Sequence, residues 1–426
     1  MSDLWPAPEA SGPVDAVVDV PGSKSVTNRL LVLAALAAEP TALDHPLRAR
    51  DTELMADALR ALGTRVDPSA RGWLVTPGAL HGPAAVDCGL AGTVMRFVPP
   101  LAALAEGPVV FDGDPRARDR PMAPLLDALV SLGARIDDGG RRALPFTVHG
   151  QGGLAGGAAS LTAGASSQFV SALLLAGCRF RDGLDLTVVG TTPSLPHVDM
   201  TRSVLAAAGI QVDRVSPATW RVHPGIPSGG RHQIPPDLSN AGPFLGACVL
   251  VGGCVRVPGW GAATPAQPGD AIRAVLRDMG AADDLADDGT LVLRGEGRVR
   301  GVDVDLGGLP ELVTTVAALA ALADSPSTIR GVAHLRGHET DRLAALTTEL
   351  NRLGGDVTET EDGLVIRPRP LRGGVFHTYA DHRMATAGAL VGLAVPGVMV
   401  EDVATTGKTL PDFAGRWSRL LGATAA

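Results

Sequence analysis

Two kinds of helical segment alternate along the chain. One kind is apolar on nearly every face and rich in Ala and Leu, which is typical of helices buried in a protein core. The other kind ends in Leu-Gly or a close variant, where glycine suits the left-handed position after a helix. The apolar segments are 30–38, 94–105, 169–177, 243–251, 312–323 and 384–395, and the helix-ending glycines are Gly63, Gly133, Gly209, Gly280, Gly354 and Gly422.

The helix-ending glycines recur every 68 to 76 residues, which indicates an internal repeat. Strand-like runs such as 109–111 and 185–189 follow apolar segments. Hairpin-like segments such as 66–75 follow the first five of these glycines. The pattern therefore predicts an α/β protein that contains six copies of a β-α-β-α-β-β unit.

The sixth copy ends at Gly422 without its closing hairpin. Because 14–20 has the pattern of a strand, we expect the N-terminal residues to supply the missing strands of the sixth copy. The chain then crosses between two domains near residues 20 and 235, and glycine and proline pairs at 229–230 and 235–236 suit the second crossing. The predicted domains are 1–20 with 236–426, which form one discontinuous domain, and an inserted domain at 21–235.

The first apolar segment begins with an unusual set of polar residues. Pro21 and Gly22 lead into Ser23, a predicted N-cap, and Lys24 and Arg29 follow near the positive end of the helix dipole. Cations suit that position if an anion binds to the free N–H groups there. Taken alone, the stretch fits a capped surface helix equally well.

Polar residues recur at the same position of the other copies. Any single polar start is explained more simply as a helix cap, and 338–342 alone as a solvated helix start. Plain caps do not require Lys, Arg or Gln, so the recurrence favours an anion-binding site of N–H groups, hydroxyls and cations. The polar starts are 23–25, 89–93, 166–168, 239–240, 310–311 and 380–383, and the loops before the other helices add Arg116, Arg118, Arg120, Ser194, His197, 338–342 and Lys408.

Composition narrows the function class. The 426 residues carry a net charge of −8, and only 3% are aromatic, with a single Tyr. Nucleic-acid binding by base stacking would require more aromatic residues and a basic face, so no nucleic-acid partner is expected and any anion must meet a local cluster of cations. The four cysteines lack zinc-site spacing. With no signal-peptide pattern and no apolar run long enough to span a membrane, a cytoplasmic protein is expected.

Seven motifs carry a resemblance that covers the whole chain. They are Pro-Gly-Ser-Lys-Ser-x-Thr-Asn-Arg at 21–29, Ala-Gly-Thr-x-Met-Arg at 91–96, Arg-Pro-Met at 120–122, Ser-Ser-Gln at 166–168, Glu-Thr-Asp-Arg at 339–342, Asp-His-Arg-Met at 381–384 and Lys-Thr-x-Pro-Asp-Phe at 408–413. Together they resemble the 5-enolpyruvylshikimate-3-phosphate synthases, a family of enolpyruvyl transferases. The resemblance implies two inside-out α/β domains, each of three β-α-β-α-β-β repeats with buried parallel helices.

The resemblance also implies an activity. The family transfers the carboxyvinyl group of phosphoenolpyruvate to the 5-hydroxyl of shikimate 3-phosphate and releases phosphate, in the shikimate pathway to chorismate and the aromatic amino acids. It needs no metal or other cofactor, is inhibited by glyphosate, and is monomeric by default. The domain of copies one to three would bind shikimate phosphate, and the discontinuous domain would bind phosphoenolpyruvate and supply the general base.

Residue roles follow from the same resemblance. Lys24, Glu311 and Glu339 would be catalytic, with Glu311 accepting the 5-hydroxyl proton and Glu339 helping to protonate the vinyl methylene. Shikimate 3-phosphate would be bound by Lys24, Ser25, Arg29, Thr93, Ser166, Ser167, Gln168, Ser194, His197, Glu311 and His338. Phosphoenolpyruvate would be bound by Lys24, Gly92, Arg120, Gln168, Arg342, Arg383 and Lys408.

The chain departs from the best-known enterobacterial members at five positions. Glu311 replaces Asp, His338 replaces Lys, His197 replaces Tyr, His334 replaces Asn, and Leu90 replaces Asn. Glutamate keeps the charge of the aspartate it replaces with a longer reach, whereas His338 lowers the fixed positive charge.

Two other functions compete with this interpretation. The sister transferase that acts on UDP-N-acetylglucosamine usually carries a reactive Cys on the loop that corresponds to 112–121, and that loop has no Cys here. A non-catalytic anion-binding repeat protein would not need Glu311 and Glu339 among the cations.

Overall fold

The computed structural model describes residues 3–162, 166–190, 194–261 and 266–422. Within these residues, helices of the two predicted kinds alternate. Every residue of the helix His382–Gly392 is buried, and so is every residue of Val313–Ala321. The prediction that the apolar helices are buried on all sides is therefore confirmed. These helices are α1 Lys24–Leu36, α3 Gly92–Leu104, α5 Ser167–Gly177, α7 Gly242–Val251, α9 Val313–Ala321 and α11 His382–Gly392.

The helices of the second kind have one buried and one exposed face. All six glycines predicted to end them have φ between +79° and +109°, the left-handed region in which a Cβ is disfavoured. The predicted helix ends are therefore confirmed. These helices are α2 Arg50–Ala61, α4 Ala123–Ser131, α6 Leu195–Ala207, α8 Ile272–Asp278, α10 Arg342–Arg352 and α12 Phe413–Leu420.

Short strands connect the helices. In the first half of the chain they are β1 Leu4–Pro6, β2 Val14–Val17, β3 Thr41–Asp44, β4 Arg65–Ser69, β5 Gly72–Thr76, β6 Ala84–Asp87, β7 Glu106–Asp112, β8 Arg135–Asp137, β9 Phe146–Gln151, β10 Gly157–Thr162, β11 Leu184–Val189, β12 Val212–Ser216 and β13 Thr219–Val222. In the second half they are β14 Gly230–Gln233, β15 Gly253–Val257, β16 Ala282–Leu285, β17 Leu291–Gly295, β18 Asp303–Asp305, β19 Ser327–Arg330, β20 Asp356–Glu359, β21 Leu364–Arg367, β22 Gly374–Phe376 and β23 Val398–Glu401.

The described strands form six sheets that share one plan. Each sheet contains one parallel pair of strands, and the second strand of the pair follows a buried helix. An antiparallel strand or hairpin completes the sheet. The orders are β14-β3-β5-β4, β6-β7-β9-β8, β10-β11-β13-β12, β2-β15-β17-β16, β18-β19-β21-β20 and β22-β23-β1. The six-copy α/β repeat predicted from the sequence is confirmed.

The prediction that 14–20 closes the sixth copy is wrong. Val14–Val17 pairs in parallel with β15 and so supplies the first strand of the fourth copy. The N-terminal residues do complete the sixth sheet, as predicted, but through Leu4–Pro6, which pairs antiparallel with β23. The direction of the strands explains this pairing. The first strand of a copy runs parallel to the strand that follows its buried helix. Because β2 runs parallel to β15, it takes that place in the fourth copy. Gly230–Gln233 supplies the same strand for the first copy.

The chain divides into two compact units, 22–234 and 1–21 with 235–426. We refer to them as the inserted unit and the split unit. Each has its own hydrophobic core. In the inserted unit α1, α3 and α5 pack against one another, and in the split unit α7, α9 and α11 do so. None of the described helices combines the length and apolar character needed to span a membrane.

Candidate active site

The start of α1 is organised around Lys24. Ser23 caps the helix, its side chain accepting from the N–H of Val26 at 3.4 Å, which confirms the predicted cap. The Lys24 ammonium donates to Oδ2 of Asp51 at 3.3 Å. Asp51 is buried whereas the side chain of Lys24 is 22% exposed. The buried carboxylate therefore holds a lysine whose side chain remains partly accessible from solvent.

Arg29 is buried, and its guanidinium binds protein acceptors. Nε donates to Oγ1 of Thr201 at 2.7 Å, and Nη2 donates to Oγ of Ser171 and the carbonyl of His197. Nη1 donates to the carbonyl of Ser25 at 2.9 Å. Burial lowers the pKa of Arg29 to about 10. Arg29 thus links α1 to α5 and α6 and places a buried cation next to the carbonyl of Ser25. The sequence did not indicate these links.

Gly92 begins α3 at a point crowded by polar atoms. A Cβ at Gly92 would lie 2.9 Å from Nη1 of Arg96, 3.1 Å from Nη2 of Arg120 and 3.1 Å from Oε1 of Gln168. The N-cap residue Ala91 makes no side-chain cap, so the first N–H groups of α3 point towards this space without a capping oxygen. In the described part of the chain, Oε1 of Gln168 and Nε of Arg120 are buried without hydrogen-bond partners. The arrangement suits a small anion seated directly on the backbone of Gly92.

The starts of α1, α3 and α5 lie together. Nδ2 of Asn28 donates to Oγ1 of Thr93 at 2.7 Å, which joins α1 to α3, and Gln168 reaches from α5 to Gly92. Ser166 caps α5 by accepting from the N–H of Gln168 at 3.1 Å. The inserted unit therefore brings most of its predicted binding residues to the ends of three neighbouring helices.

Ser194 and His197 mark the start of α6. Ser194 is buried and has φ of +51°, which is unusual for a residue with a Cβ. The N–H of His197 donates to the carbonyl of Ser194 at 3.0 Å. The carbonyl of His197 accepts from Arg29, so α6 is tied to the same buried guanidinium as α1.

In the split unit, Glu339 lies between two cations. Its Oε1 accepts from Nζ of Lys408 at 2.7 Å, and its Oε2 accepts from Nη2 of Arg342 at 3.2 Å. Arg342 is held from its other side by Asp381, which accepts from Nε at 2.8 Å and from Nη2 at 3.2 Å. Burial lowers the pKa of Arg342, but the charges of Asp381 and Glu339 outweigh burial, and the net effect is a raised pKa.

Arg383 adds a third cation to this cluster. It follows the N-cap Asp381, and its Nη1 donates to the carbonyl of Ser239 at 2.9 Å. Burial lowers the pKa of Arg383; the carboxylate of Asp237 opposes that effect, and the nearby charge of Arg342 reinforces it. Each cation of the cluster therefore has a carboxylate nearby, and the group lacks the surplus of positive charge that the sequence pattern suggested.

Glu311 and two histidines complete the cluster. Glu311 lies in a short 3-10 helix, Pro310–Leu312, directly before α9, and its charge acts on Arg342, Arg383 and His334. Burial lowers the pKa of His334, although Glu311 opposes the shift. Nδ1 of His338 lies 3.3 Å from Nη1 of Arg342. Because arginine only donates, this contact requires Nδ1 of His338 to accept.

Two residues of the site were missed by the sequence analysis. Asp381 was quoted in a motif but assigned no role, although its position before the first residue of an apolar helix is an N-cap signal. No pattern in the sequence indicates a role for Asp51, because it lies 27 residues from the lysine that it contacts. Both are carboxylates that hold a cation of the site.

Comparisons with known proteins match nearly the whole chain. A family model described as EPSP synthase (3-phosphoshikimate 1-carboxyvinyltransferase) matches residues 8–417. A 3-phosphoshikimate 1-carboxyvinyltransferase from Kocuria rhizophila is 56% identical over 433 residues, which cover 99% of this chain and 97% of that protein. Two structures of EPSP synthase from Acinetobacter baumannii have TM-scores of 0.79 and 0.77, each covering 98% of this chain and 97% of the other. At 24% identity these structures support the fold alone.

Proposed function

The chain belongs to the EPSP synthase family, and we propose that the two groups of residues described above bind the two substrates of its reaction. The enzyme is a 3-phosphoshikimate 1-carboxyvinyltransferase (EC 2.5.1.19). It adds the 5-hydroxyl oxygen of shikimate 3-phosphate to C2 of phosphoenolpyruvate while C3 gains a proton. Loss of phosphate from C2 and of a proton from C3 then restores the vinyl group in the product.

The inserted unit is proposed to bind shikimate 3-phosphate. Its hydroxyls and cations suit a phosphate ester on a ring that carries hydroxyl groups. Arg29 contributes a buried positive charge and holds Ser25 through its carbonyl. The proposed residues of this unit are Lys24, Ser25, Arg29, Thr93, Ser166, Ser167, Gln168, Ser194 and His197, to which Glu311 and His338 are added from the split unit.

Phosphoenolpyruvate is proposed to be bound by cations and by the backbone of Gly92. The planar guanidinium groups suit its carboxylate and phosphate, and a Cβ at Gly92 would force the side-chain ends of Arg96, Arg120 and Gln168 to shift. The proposed residues are Lys24, Gly92, Arg120, Gln168, Arg342, Arg383 and Lys408.

The reaction needs one group to take a proton and another to give one. Glu311 is proposed to take the proton of the 5-hydroxyl, and Lys24 to neutralise charge on both substrates. Glu339 is proposed to deliver the proton to C3. When an anionic substrate comes close to Lys408 and Arg342, its charge competes with the carboxylate for these cations and favours the protonated form of Glu339.

The observation that carries this assignment is the position of Glu339 between Lys408 and Arg342. A carboxylate that shares its cations with an incoming anion changes its proton affinity when the anion binds. Such a coupling connects substrate binding to the supply of the proton that the addition step consumes.

A phosphate-release assay tests the activity. We expect release from phosphoenolpyruvate with shikimate 3-phosphate as acceptor and none with UDP-N-acetylglucosamine. The sister transferase is not favoured, because the curated relative named above is 56% identical across nearly all the chain. Release with the UDP-sugar, or with neither acceptor, would contradict the assignment.

We also propose that the enzyme is a cytoplasmic monomer that has no nucleic-acid partner, and that its domains are 1–20 with 236–426 and 21–235. The net charge of −8 supports the absence of nucleic-acid binding. Light scattering at several protein concentrations tests the monomer: a mass of 43.5 kDa is expected at each, and a mass that rises with concentration would contradict it.

A further inference from the structure

A strained turn leads into the Asp381 carboxylate. Tyr379 and Ala380 are consecutive, and both have φ of +55°, a conformation that is unfavourable for residues with a Cβ. Two such residues in a row persist only where surrounding contacts hold them. Ala380 is exposed and Tyr379 is half-buried, so the contacts that hold the turn must come from a few specific groups.

One contact lies within the turn itself, where the N–H of Asp381 donates to the carbonyl of Thr378 at 2.9 Å. Further contacts come from outside the turn, from Glu349 of α10. The hydroxyl of Tyr379 donates to Oε1 of Glu349 at 2.7 Å, and the N–H of His377 donates to Oε2 at 3.0 Å. Arg352 also donates to Oε1 at 3.3 Å. Glu349 is completely buried, where a carboxylate is stable only with several donors. The carboxylate therefore fixes both the side chain of Tyr379 and the backbone just before it.

Helix α10 holds the turn at two points on one face. Arg342, at its first position, binds Asp381, and Glu349, about two helical turns later, binds Tyr379 and His377. The strained residues lie between these two attachments. If the attachment at Glu349 is lost, the turn can relax towards negative φ, and Asp381 then shifts relative to Arg342.

The Tyr379 hydroxyl stays protonated under working conditions. Burial and the carboxylate of Glu349 raise the pKa of Tyr379 to about 12, so the hydroxyl remains a donor at neutral pH. Tyr379 is also the single tyrosine of the chain. A phenylalanine at this position would keep the ring and remove only the donor.

We propose that Tyr379 and Glu349 are positioning residues for phosphoenolpyruvate: they hold the strained turn so that Asp381 keeps Arg342 in place. This inference rests on the role of Arg342 proposed above. It assigns no contact with substrate to either residue. Their effect reaches the substrate through the turn, through Asp381 and then through the guanidinium of Arg342.

Steady-state kinetics of three variants test the inference. We expect Tyr379→Phe to raise KM for phosphoenolpyruvate about tenfold, the effect of about one net hydrogen bond, with KM for shikimate 3-phosphate unchanged. Ala380→Val at the exposed position should raise the same KM, because a β-branched residue disfavours the turn further. In the double variant Tyr379→Phe/Ala380→Gly the increase should be smaller, because glycine adopts positive φ without strain.

A control and a reference variant separate the possible outcomes. Asn351→Ala removes the hydrogen bonds that Asn351 exchanges with Val357, on the same helix but away from the turn. It should lower the melting temperature and leave KM for phosphoenolpyruvate unchanged. Arg342→Gln should raise that KM by itself. If it does not, the role of Arg342 is wrong and the positioning role falls with it.

If Arg342→Gln raises KM for phosphoenolpyruvate, the inference is overturned by a wild-type KM in Tyr379→Phe or in Ala380→Val. It is also overturned if Ala380→Gly does not reduce the effect of Tyr379→Phe. Should Tyr379→Phe fail to fold, Ala380→Val still decides the matter, because its side chain is exposed.

Discussion

Asp381 accepts two hydrogen bonds from Arg342, at 2.8 Å from Nε and 3.2 Å from Nη2. The carboxylate of Asp381 is completely buried, and Arg342 is 3% exposed. A second carboxylate, Glu339, accepts from the same Nη2. The guanidinium is thereby fixed in orientation between two anions, one that caps α11 and one that is proposed to move a proton.

Replacing Asp381 with Asn should weaken both stability and substrate binding. Breaking a buried ion pair by removing one partner costs about 3–5 kcal/mol, and Arg342 loses the acceptor that orients it. Urea unfolding should show the loss of stability, and KM for phosphoenolpyruvate should rise. Asp356→Asn is the control, because Asp356 pairs with the exposed Arg369 at 2.9 Å, and such pairs contribute about 0–1 kcal/mol. Equal losses in the two variants would contradict the prediction.

Gly92→Ala should weaken the binding of phosphoenolpyruvate and of glyphosate more than the binding of shikimate 3-phosphate. The added Cβ would lie 2.9–3.1 Å from Arg96, Arg120 and Gln168, closer than ordinary van der Waals contact. We expect a higher KM for phosphoenolpyruvate and weaker inhibition by glyphosate, both measured by phosphate release. Gly153→Ala is the matched control, since a Cβ there meets nothing within 4 Å. Unchanged glyphosate inhibition in Gly92→Ala would show that the site is elsewhere.

Glu339→Gln should slow the reaction by about 10²–10⁴-fold, the usual contribution of general acid–base catalysis. The amide keeps the shape of the side chain but cannot supply a proton to C3. In deuterated water with both substrates present, deuterium should enter the methylene of phosphoenolpyruvate more slowly in this variant than in the wild type. Glu361→Gln, at an exposed hairpin position, should behave as wild type. Wild-type deuterium incorporation in Glu339→Gln would exclude the proposed role.

The partly buried His334 should make stability depend on pH. Burial lowers its pKa in the folded protein, so the unfolded chain binds more protons at and below the ordinary histidine value of about 6.5. Stability should therefore be complete above about pH 6.5 and fall as the pH drops from there through the lowered pKa. Glu311 opposes the shift, and the ring of His338 lies 6.0 Å away.

Urea unfolding at about pH 7.5 and pH 5.5 checks this dependence. The loss of free energy of unfolding between the two conditions should be smaller in His334→Asn than in the wild type. His149→Asn, which changes an exposed histidine, should parallel the wild type. If the free energy of unfolding of His334→Asn changes with pH as much as that of the wild type, His334 does not contribute to the pH dependence.

Much of the fold was predictable because its signals are local. The capping of α1 by Ser23 depends on residues within one helical turn, and the glycines that end the second kind of helix depend on the left-handed backbone at one position. The apolar character of α9 and α11 predicts burial wherever these helices lie. Repetition of such local signals was enough to predict six copies.

The candidate site was only partly predictable, because its contacts join distant residues. The sequence indicated Lys24, Arg342 and Glu339 as residue types that suit anionic substrates. It did not indicate that Asp51 holds Lys24 or that Asp381 holds Arg342, since these pairs are separated by 27 and 39 residues. Nor did it indicate that the donors of Arg29 are directed mainly to protein acceptors on α5 and α6.

The sequence by itself determined the two kinds of helix, which helices are buried, and that the unit occurs six times, because periodicity and capping act over a few residues. Only the tertiary structure decided which sheet each terminal strand joins: Val14–Val17 pairs with β15, and Leu4–Pro6 with β23. Backbone hydrogen bonding between strands is nearly independent of side-chain identity, so pairing partners far apart in the chain are selected by direction and packing. The same holds for the polar network around Arg342, whose partners are brought together by the packing of α10 against α11.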